Sequence, residues 1–367
     1  MRNLIIIVVY INYKMTPTSL LVLFFTLFIS SNTFMINLLV VKGDTECPLV
    51  ATIGDRRSNK NSLRVVQYNA EWLFVDYNSN SKCPGSGCPW TTVQNAQTHL
   101  SYVVNVVKGL NPDIINFCEI EGCDELNMLI SALNDTSYKP YLKEGTDTST
   151  GQNVGFLTRI DPLTNLYRTE ERISYPVPGS KCGYTDSTGT SGVSKHYITE
   201  FNLGGYKTAL IGAHFLAYPT DKLRCAERES QSQVLQNVIS SYIVKGYEVI
   251  FLGDLNDFDA EVPDINSDKP ISYVLDTLKG LFGQKKGTYT LTNAASKMAQ
   301  SERYSDWYNS DSNCDTSSQK DYSMIDHVLM SSKIFAKVSK VSIYHGYNEY
   351  CDKLNSDHYP VVVDLSF

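Results

Sequence analysis

The stretch from Val249 to Phe258, VIFLGDLNDF, constrains this chain more than any other. Its four consecutive apolar residues, Val249-Ile250-Phe251-Leu252, predict a buried strand. Gly253 then permits a bend, or a close approach of the backbone to a ligand. Asp254 and Asn256 follow two positions apart, and in extended backbone such side chains point the same way. A carboxylate and an amide are therefore expected side by side at the carboxyl end of a buried strand. A carboxylate there can hold a metal or a water, and an amide can orient a phosphate oxygen. Taken alone, the same residues read equally well as an Asx-type turn that caps backbone groups.

From Leu63 onward, predicted strands and helices alternate, which argues for a layered α/β domain. Strands are expected at 64–69, 113–119, 154–159, 196–203, 207–215, from 248, and at 325–330, 338–344 and 360–365. Helices are expected at 91–108, 124–133, 226–244 and 270–278. The first carries Val93, Ala96, Leu100, Val103, Val104 and Val107 on one stripe, as core packing requires. Residues 295–322 read as a long polar surface loop with Tyr304, Trp307 and Tyr308 near the rim of the site. Nothing after Leu63 resembles an interdomain linker, so one domain is expected over 63–367, preceded by a polar linker at 43–62.

Residues 15–41 contain no charge between Lys14 and Lys42. Residues 1–42 therefore read as a secretory signal or an uncleaved anchor, with Met1 or Met15 as the start. Either reading leaves Arg2 and Lys14 in the cytosol and exports the body. All nine cysteines follow Lys42, without zinc-finger spacing. Exported cysteines usually pair. The expected bridges are Cys83–Cys88, Cys118–Cys123, Cys182–Cys225 and Cys314–Cys351, with Cys47 left over. A buried free thiol at Cys118 is the alternative. Asn134-Asp135-Thr136 is a glycosylation acceptor triplet. The net charge of −7 argues against a non-specific nucleic-acid coat protein, though not against an enzyme that meets a polyanion locally. A monomer is expected.

Polar residues stand where several predicted strands begin or end: Asn69 and Glu71, Glu119, His214, Asp326, and Asp357 with His358. The words YNAEWLF, GDLND, Ile325-Asp326-His327-Val328 and SDHYPV, in that order, resemble the endonuclease/exonuclease/phosphatase superfamily from Leu63 to Phe367. The resemblance implies an α/β fold, a four-layer α/β/β/α sandwich of two mixed β-sheets flanked by helices, with the catalytic residues at one end of the sheets. It implies a metal-dependent hydrolase of phosphoester bonds. Glu71, Glu119 and Asp357 would hold Mg²⁺ or Mn²⁺, for which hard oxygen donors are suited. Asn69 and Asn256 would bond the phosphate. Asp326 would orient His358 as general base, Asp254 would position the water or the histidine, and His214 would stabilise or protonate the leaving group. Glu119 is preferred to Glu121 because it directly ends the apolar strand. Cys118 stands where members usually have glutamine. His327 points away from Asp326 on a strand and is expected to be structural.

The flanks Leu252 and Asp257, and the word Met324-Ile325-Asp326-His327, depart from the inositol-polyphosphate phosphatase pattern. Export and His214 argue against an abasic-site endonuclease. The expected protein is a secreted or membrane-anchored nuclease or phosphodiesterase whose substrate is nucleic acid or another phosphodiester. A sphingomyelinase-like lipid phosphodiesterase, associated with membrane through the N-terminal segment, is the alternative. A non-catalytic binding module on the same fold is the opposing class.

Overall fold

The computed structural model describes residues 45–75, 88–90, 92–309, 313–315, 317–347 and 354–367. The expected signal or anchor, and the cysteines Cys83 and Cys351, lie outside them. Among the described residues, no helix is long and apolar enough to cross a membrane.

In chain order the strands are β1 (Ser62–Leu73), β2 (Ile114–Ile120), β3 (Lys139–Leu142), β4 (Asn153–Thr158), β5 (Ile173–Tyr175), β6 (Gly189–Ser191), β7 (Lys195–Leu203), β8 (Tyr206–His214), β9 (Glu248–Asp254), β10 (Leu291–Asn293), β11 (Asp306–Trp307), β12 (Tyr322–Ser323), β13 (Asp326–Ser331), β14 (Val338–Ile343) and β15 (Val361–Ser366). The helices are α1 (Val93–Leu110), α2 (Cys123–Leu133), α3 (Lys222–Val244), α4 (Val274–Leu278) and α5 (Ser332–Phe335). Local chemistry sets the ends of α1. The Thr92 side chain accepts from the Asn95 N–H at 3.1 Å, and Asn111 closes the helix in the left-handed region just before Pro112.

One sheet runs β14-β15-β1-β2-β4-β3 and the other β10-β13-β9-β8-β7. Each contains one parallel pair, β1 with β2 and β8 with β9, among antiparallel neighbours. Val65, Phe156, Tyr197, Leu210, Ile250, Leu252, Val328 and Val363 interleave between the sheets. Val66, Ile115 and Leu157 pack outward under Val103, Val107, Leu126 and Leu129 of α1 and α2. On the other side, Ile211, Phe251 and Leu329 lie under Val234, Leu235 and Ile239 of α3 and Val274 and Leu278 of α4. The result is a four-layer α/β/β/α sandwich. The apolar run of β9 is explained by this: Ile250 and Leu252 face the other sheet while Phe251 faces α3, so both faces are buried. Gly253 serves a close approach of protein backbone rather than of ligand, because a Cβ there would fall 1.8 Å from the Ala213 carbonyl oxygen of β8.

Three expectations are corrected. Residues 45–61 are not a free linker but lie on the body of the domain. Asp55 bridges Ile160, and Arg56 pairs with Asp161 at 2.6 Å. Cys47 is not left over; it is bonded to Cys123. Cys118 consequently forms no bridge with Cys123 and is a buried free thiol. The sheet separates the two: Cys118 faces the layer between the sheets, while Cys123 opens α2 on the outer face. Cys182 and Cys225 are bonded as expected. Cys88 and Cys314 are each disulfide-bonded, and the partners expected for them fall outside the described residues.

Candidate active site

The parallel pairs bring the carboxyl ends of β1, β2, β8 and β9 to one end of the sandwich. The antiparallel partners β13 and β15 start at that same end. In register, Asp254 is flanked by His214 on one side and by Asp326 on the other. The strand ends are irregular there. Glu71, Trp72, Glu119 and Asn256 all have positive φ, between 47° and 63°. The β1–β2 and β2–β4 registers shift at Asn69/Leu73 and Cys118/Ile120. Such bulges re-aim side chains and concentrate strain at functional sites.

The two-apart rule therefore fails where it was applied, because neither Glu71 nor Asn256 is in extended backbone. Both segments form Asx turns instead. Asp254 Oδ1 accepts from the Asn256 N–H at 3.0 Å, and Asn69 Oδ1 accepts from the Glu71 N–H at 3.0 Å. The turn and the site coexist: each of these first residues spends one side-chain atom on the turn and presents the other to the cluster.

Asn69 lies at the centre of that cluster. Its Nδ2 donates to Asp254 Oδ2 at 2.9 Å and to Glu119 Oε1 at 3.2 Å, and lies 3.4 Å from His358 Nε2. His358 Nδ1 is 2.7 Å from Asp326 Oδ2, the pairing the resemblance implied. His214 Nε2 lies 3.5 Å from Asp254 Oδ2 and 3.9 Å from Glu119 Oε1. Asn256 is buried beside them and donates from Nδ2 to the Phe215 carbonyl at 3.2 Å. His327 points the other way, to Asn293 and the Asp257 carbonyl, as a structural residue does.

Glu71, Glu119 and Asp357 do not form a single ligand group. Donor atoms within 4.8 Å of one another are instead offered by Glu119, His214 and Asp254, by Asp254, Asp326 and His358, and by Asp306, Asp357 and His358. Glu71 Oε2 accepts from the Asp357 N–H at 3.1 Å, so it holds the backbone of a ligand candidate. The electrostatics favour a cation. Burial, and then the neighbouring carboxylate of Asp326, raise Asp254. Burial pushes Asp306 up to about 6, and Asp357 is also raised. Burial alone would lower His358, but Asp326, Asp357 and Asp254 pull it well above its ordinary value. Burial and Lys195 push His214 well below. Crowded carboxylates that resist ionisation are a site short of positive charge, and oxygen donors fit Mg²⁺ or Mn²⁺.

Several contributors gave no signal in the sequence. Gln152 Nε2 donates to Glu119 Oε2 at 2.8 Å, and Lys195 Nζ in turn donates to Gln152 Oε1 at 3.0 Å. Ser305 Oγ donates to Asp326 Oδ2 at 2.9 Å, and Asp306 Oδ1 is 3.6 Å from His358 Nε2. Both come from the stretch expected to be a surface loop. Residues 305–307 instead run against 357–359, with Trp307 N–H donating to the Asp357 carbonyl and Tyr359 N–H to that of Ser305. Trp307 is buried and Tyr304 stacks on His345, so of the three aromatics expected at the rim only Tyr308 is exposed.

No protein-family model matches the chain, and no curated protein sequence matches it. Solved structures do. A humanized D. rerio TDP2 is 16% identical over 84% of this chain and 100% of its own, with a TM-score of 0.50. A Neisseria 3′ phosphatase, NExo, bound to product DNA hairpin, is 14% identical over 83% of this chain and 100% of its own, with a TM-score of 0.52. An endonuclease/exonuclease/phosphatase family protein from Bacteroides thetaiotaomicron is 18% identical over 83% and 95%, with a TM-score of 0.48. The chain shares its fold with the TDP2 structure and with the Neisseria 3′ phosphatase.

Proposed function

We propose that this chain is a divalent-metal-dependent hydrolase of phosphoester bonds, acting as an exported or membrane-anchored nuclease or phosphodiesterase. The observation that carries the reading is the buried cluster in which Asp326 holds His358 beside Asn69, Asp254, Glu119 and His214. Phosphoester hydrolysis needs a base for water, cover for the phosphoryl oxygens and help for the leaving oxygen. His358 would take the water proton at Nε2, since Nδ1 is engaged by Asp326, once a bound cation offsets the carboxylates that otherwise keep the imidazole protonated. Asp254, 3.9 Å from that nitrogen, positions the water. Asn256 spends one N–H on Phe215 and keeps a second for a phosphate oxygen. His214 attends the leaving oxygen. Glu119, Asp254, Asp306 and Asp357 would hold Mg²⁺ or Mn²⁺, which would supply positive charge to the phosphoryl oxygens.

Nucleic acid is the first substrate class, because the Neisseria phosphatase of the same fold is bound to DNA. Two disulfides among the described residues support export, and a monomer is proposed. The apolar 15–41 segment favours a lipid phosphodiesterase as the second reading. A panel of single- and double-stranded DNA, RNA, sphingomyelin vesicles and bis-p-nitrophenyl phosphate tests both, with chelator and with Mg²⁺ or Mn²⁺ restored. Cleavage that requires added metal is expected, with Glu119→Gln weakening Mn²⁺ binding by calorimetry. Inactivity on the whole panel removes the enzymatic reading, and full activity of His358→Ala removes the base.

A further inference from the structure

A row of hydrogen-bonded side chains crosses the layer between the sheets behind His358, and no step above uses it. Tyr197 Oη donates to Asn116 Oδ1 at 2.8 Å. Asn116 Nδ2 donates to Gln67 Oε1 at 2.6 Å. Gln67 Nε2 donates to Asp326 Oδ1 at 3.0 Å. The other oxygen of Asp326 is the one that holds His358. Tyr197, Asn116 and Gln67 are all 0% exposed. The Asp326 end sets the sense of the row. An ionised carboxylate only accepts, so Gln67 must turn its NH₂ to Asp326 and its oxygen to Asn116. Asn116 is thereby turned with its oxygen toward the tyrosine.

The surroundings make room for this row. A Cβ on Gly212 would lie 2.4 Å from the Tyr197 ring and 2.6 Å from Asn116 Oδ1. Cys118, where the superfamily resemblance leads one to expect glutamine, is a short free thiol with its Sγ 3.5 Å from Gln67 Nε2. Gln67, on the adjacent parallel strand, thus brings its amide beside the Cys118 thiol. Polar side chains in an apolar layer are costly unless every member is satisfied, and satisfied rows fix a single geometry.

We propose that Gln67 is a positioning residue: anchored by Asn116 and Tyr197, it holds Asp326 Oδ1 so that Oδ2 stays aimed at His358 Nδ1. The proposal rests on the phosphoester-hydrolase reading. Gln67→Met keeps the length and deletes both the oxygen and the NH₂ of the amide. The expected result is a kcat lower by roughly tenfold or more with KM within about twofold, as for lost outer partners of a catalytic group. The His358 Nδ1–H resonance in histidine-labelled protein is expected to shift or broaden, which a merely structural residue would not cause. Tyr197→Phe is expected to act in the same direction and less strongly. Gln67→Ser is expected to lose activity that Gln67→Ser/Cys118→Gln recovers, because an amide from 118 reaches the same space.

Unchanged kcat and an unchanged resonance in folded Gln67→Met overturn the proposal. So does a fall in Tm alone, or a folded double variant without recovery. If Gln67→Met does not fold, Tyr197→Phe and the Ser/Gln pair decide in the same way. The resonance is read without substrate. A wild type inactive on every substrate therefore removes the functional reading, while the histidine signal still decides whether Gln67 sets His358.

Discussion

At Asn256 the backbone is left-handed, with φ 49°, a conformation that glycine adopts without penalty. The turn at this point is made by Asp254 accepting from the backbone N–H of 256, so the turn does not need the amide side chain. Asn256→Gly separates the two roles. Losing the bond to Phe215 costs about 1 kcal/mol and relief of the left-handed backbone returns a similar amount. Stability by urea unfolding is expected to change by less than about 0.5 kcal/mol. Turnover of a phosphodiester is expected to fall tenfold or more if the amide bonds the phosphate. Unchanged turnover would leave Asn256 a turn residue only.

Among the elements, α3 covers the second sheet with an unusually polar inner face that ties down loops. Buried Arg228 donates to the carbonyls of Leu216, Ala217, Tyr218 and Pro219, the loop that follows His214, and pairs with buried Asp257. The residue after α4, Lys279, pins the segment after β9 in the same way through Asp259 at 2.7 Å, and Asn293 bonds the other oxygen. Asp259 is almost fully buried, so Lys279→Met leaves a carboxylate without its cation. A loss of about 3–5 kcal/mol is expected. Burial alone would raise Asp259, but Lys279 holds it below the ordinary aspartate value. A lowered carboxyl stabilises above the unfolded pKa, and that stability is lost as pH falls through the folded value. The gap between wild type and Lys279→Met in urea unfolding is therefore expected to be wide near pH 7 and to narrow at about pH 3. An equal gap at both pH values would mean that the ion pair is not its source.

Over the whole molecule, disulfides tie distant parts of the domain together. Cys47 and Cys123 join the N-terminal segment to the start of α2 across 76 residues, four positions beyond Glu119. In the chain-entropy picture a bridge of that span stabilises by about 4.5 kcal/mol, and bridges typically deliver about 2–4 kcal/mol. Cys47→Ser/Cys123→Ser is expected to lower the unfolding free energy by that order in denaturant. A change under about 0.5 kcal/mol would mean that packing alone holds residues 45–61.

The sequence by itself determined most of the strands and helices that build the layers, because their apolar patterns follow from burial, as in the run at 249–252 and the stripe on α1; the short edge strands β3 and β10 carried no such pattern. It also placed most of the polar cluster, since Asn69, Glu119, His214, Asp254, Asp326 and His358 stand at strand ends. Tertiary structure decided the rest. The positive φ at Glu71, Glu119 and Asn256 overrides strand alternation, and no local pattern announces a bulge. Which cysteine meets Cys123 depends on the face of the sheet each occupies. Ser305 and Asp306 enter the site only because 305–307 pairs with 357–359, and Gln67 meets Asp326 only because the two sheets pack face to face. These contacts join residues dozens to hundreds of positions apart, and their geometry is set by the packing of layers rather than by the residues beside them in the chain.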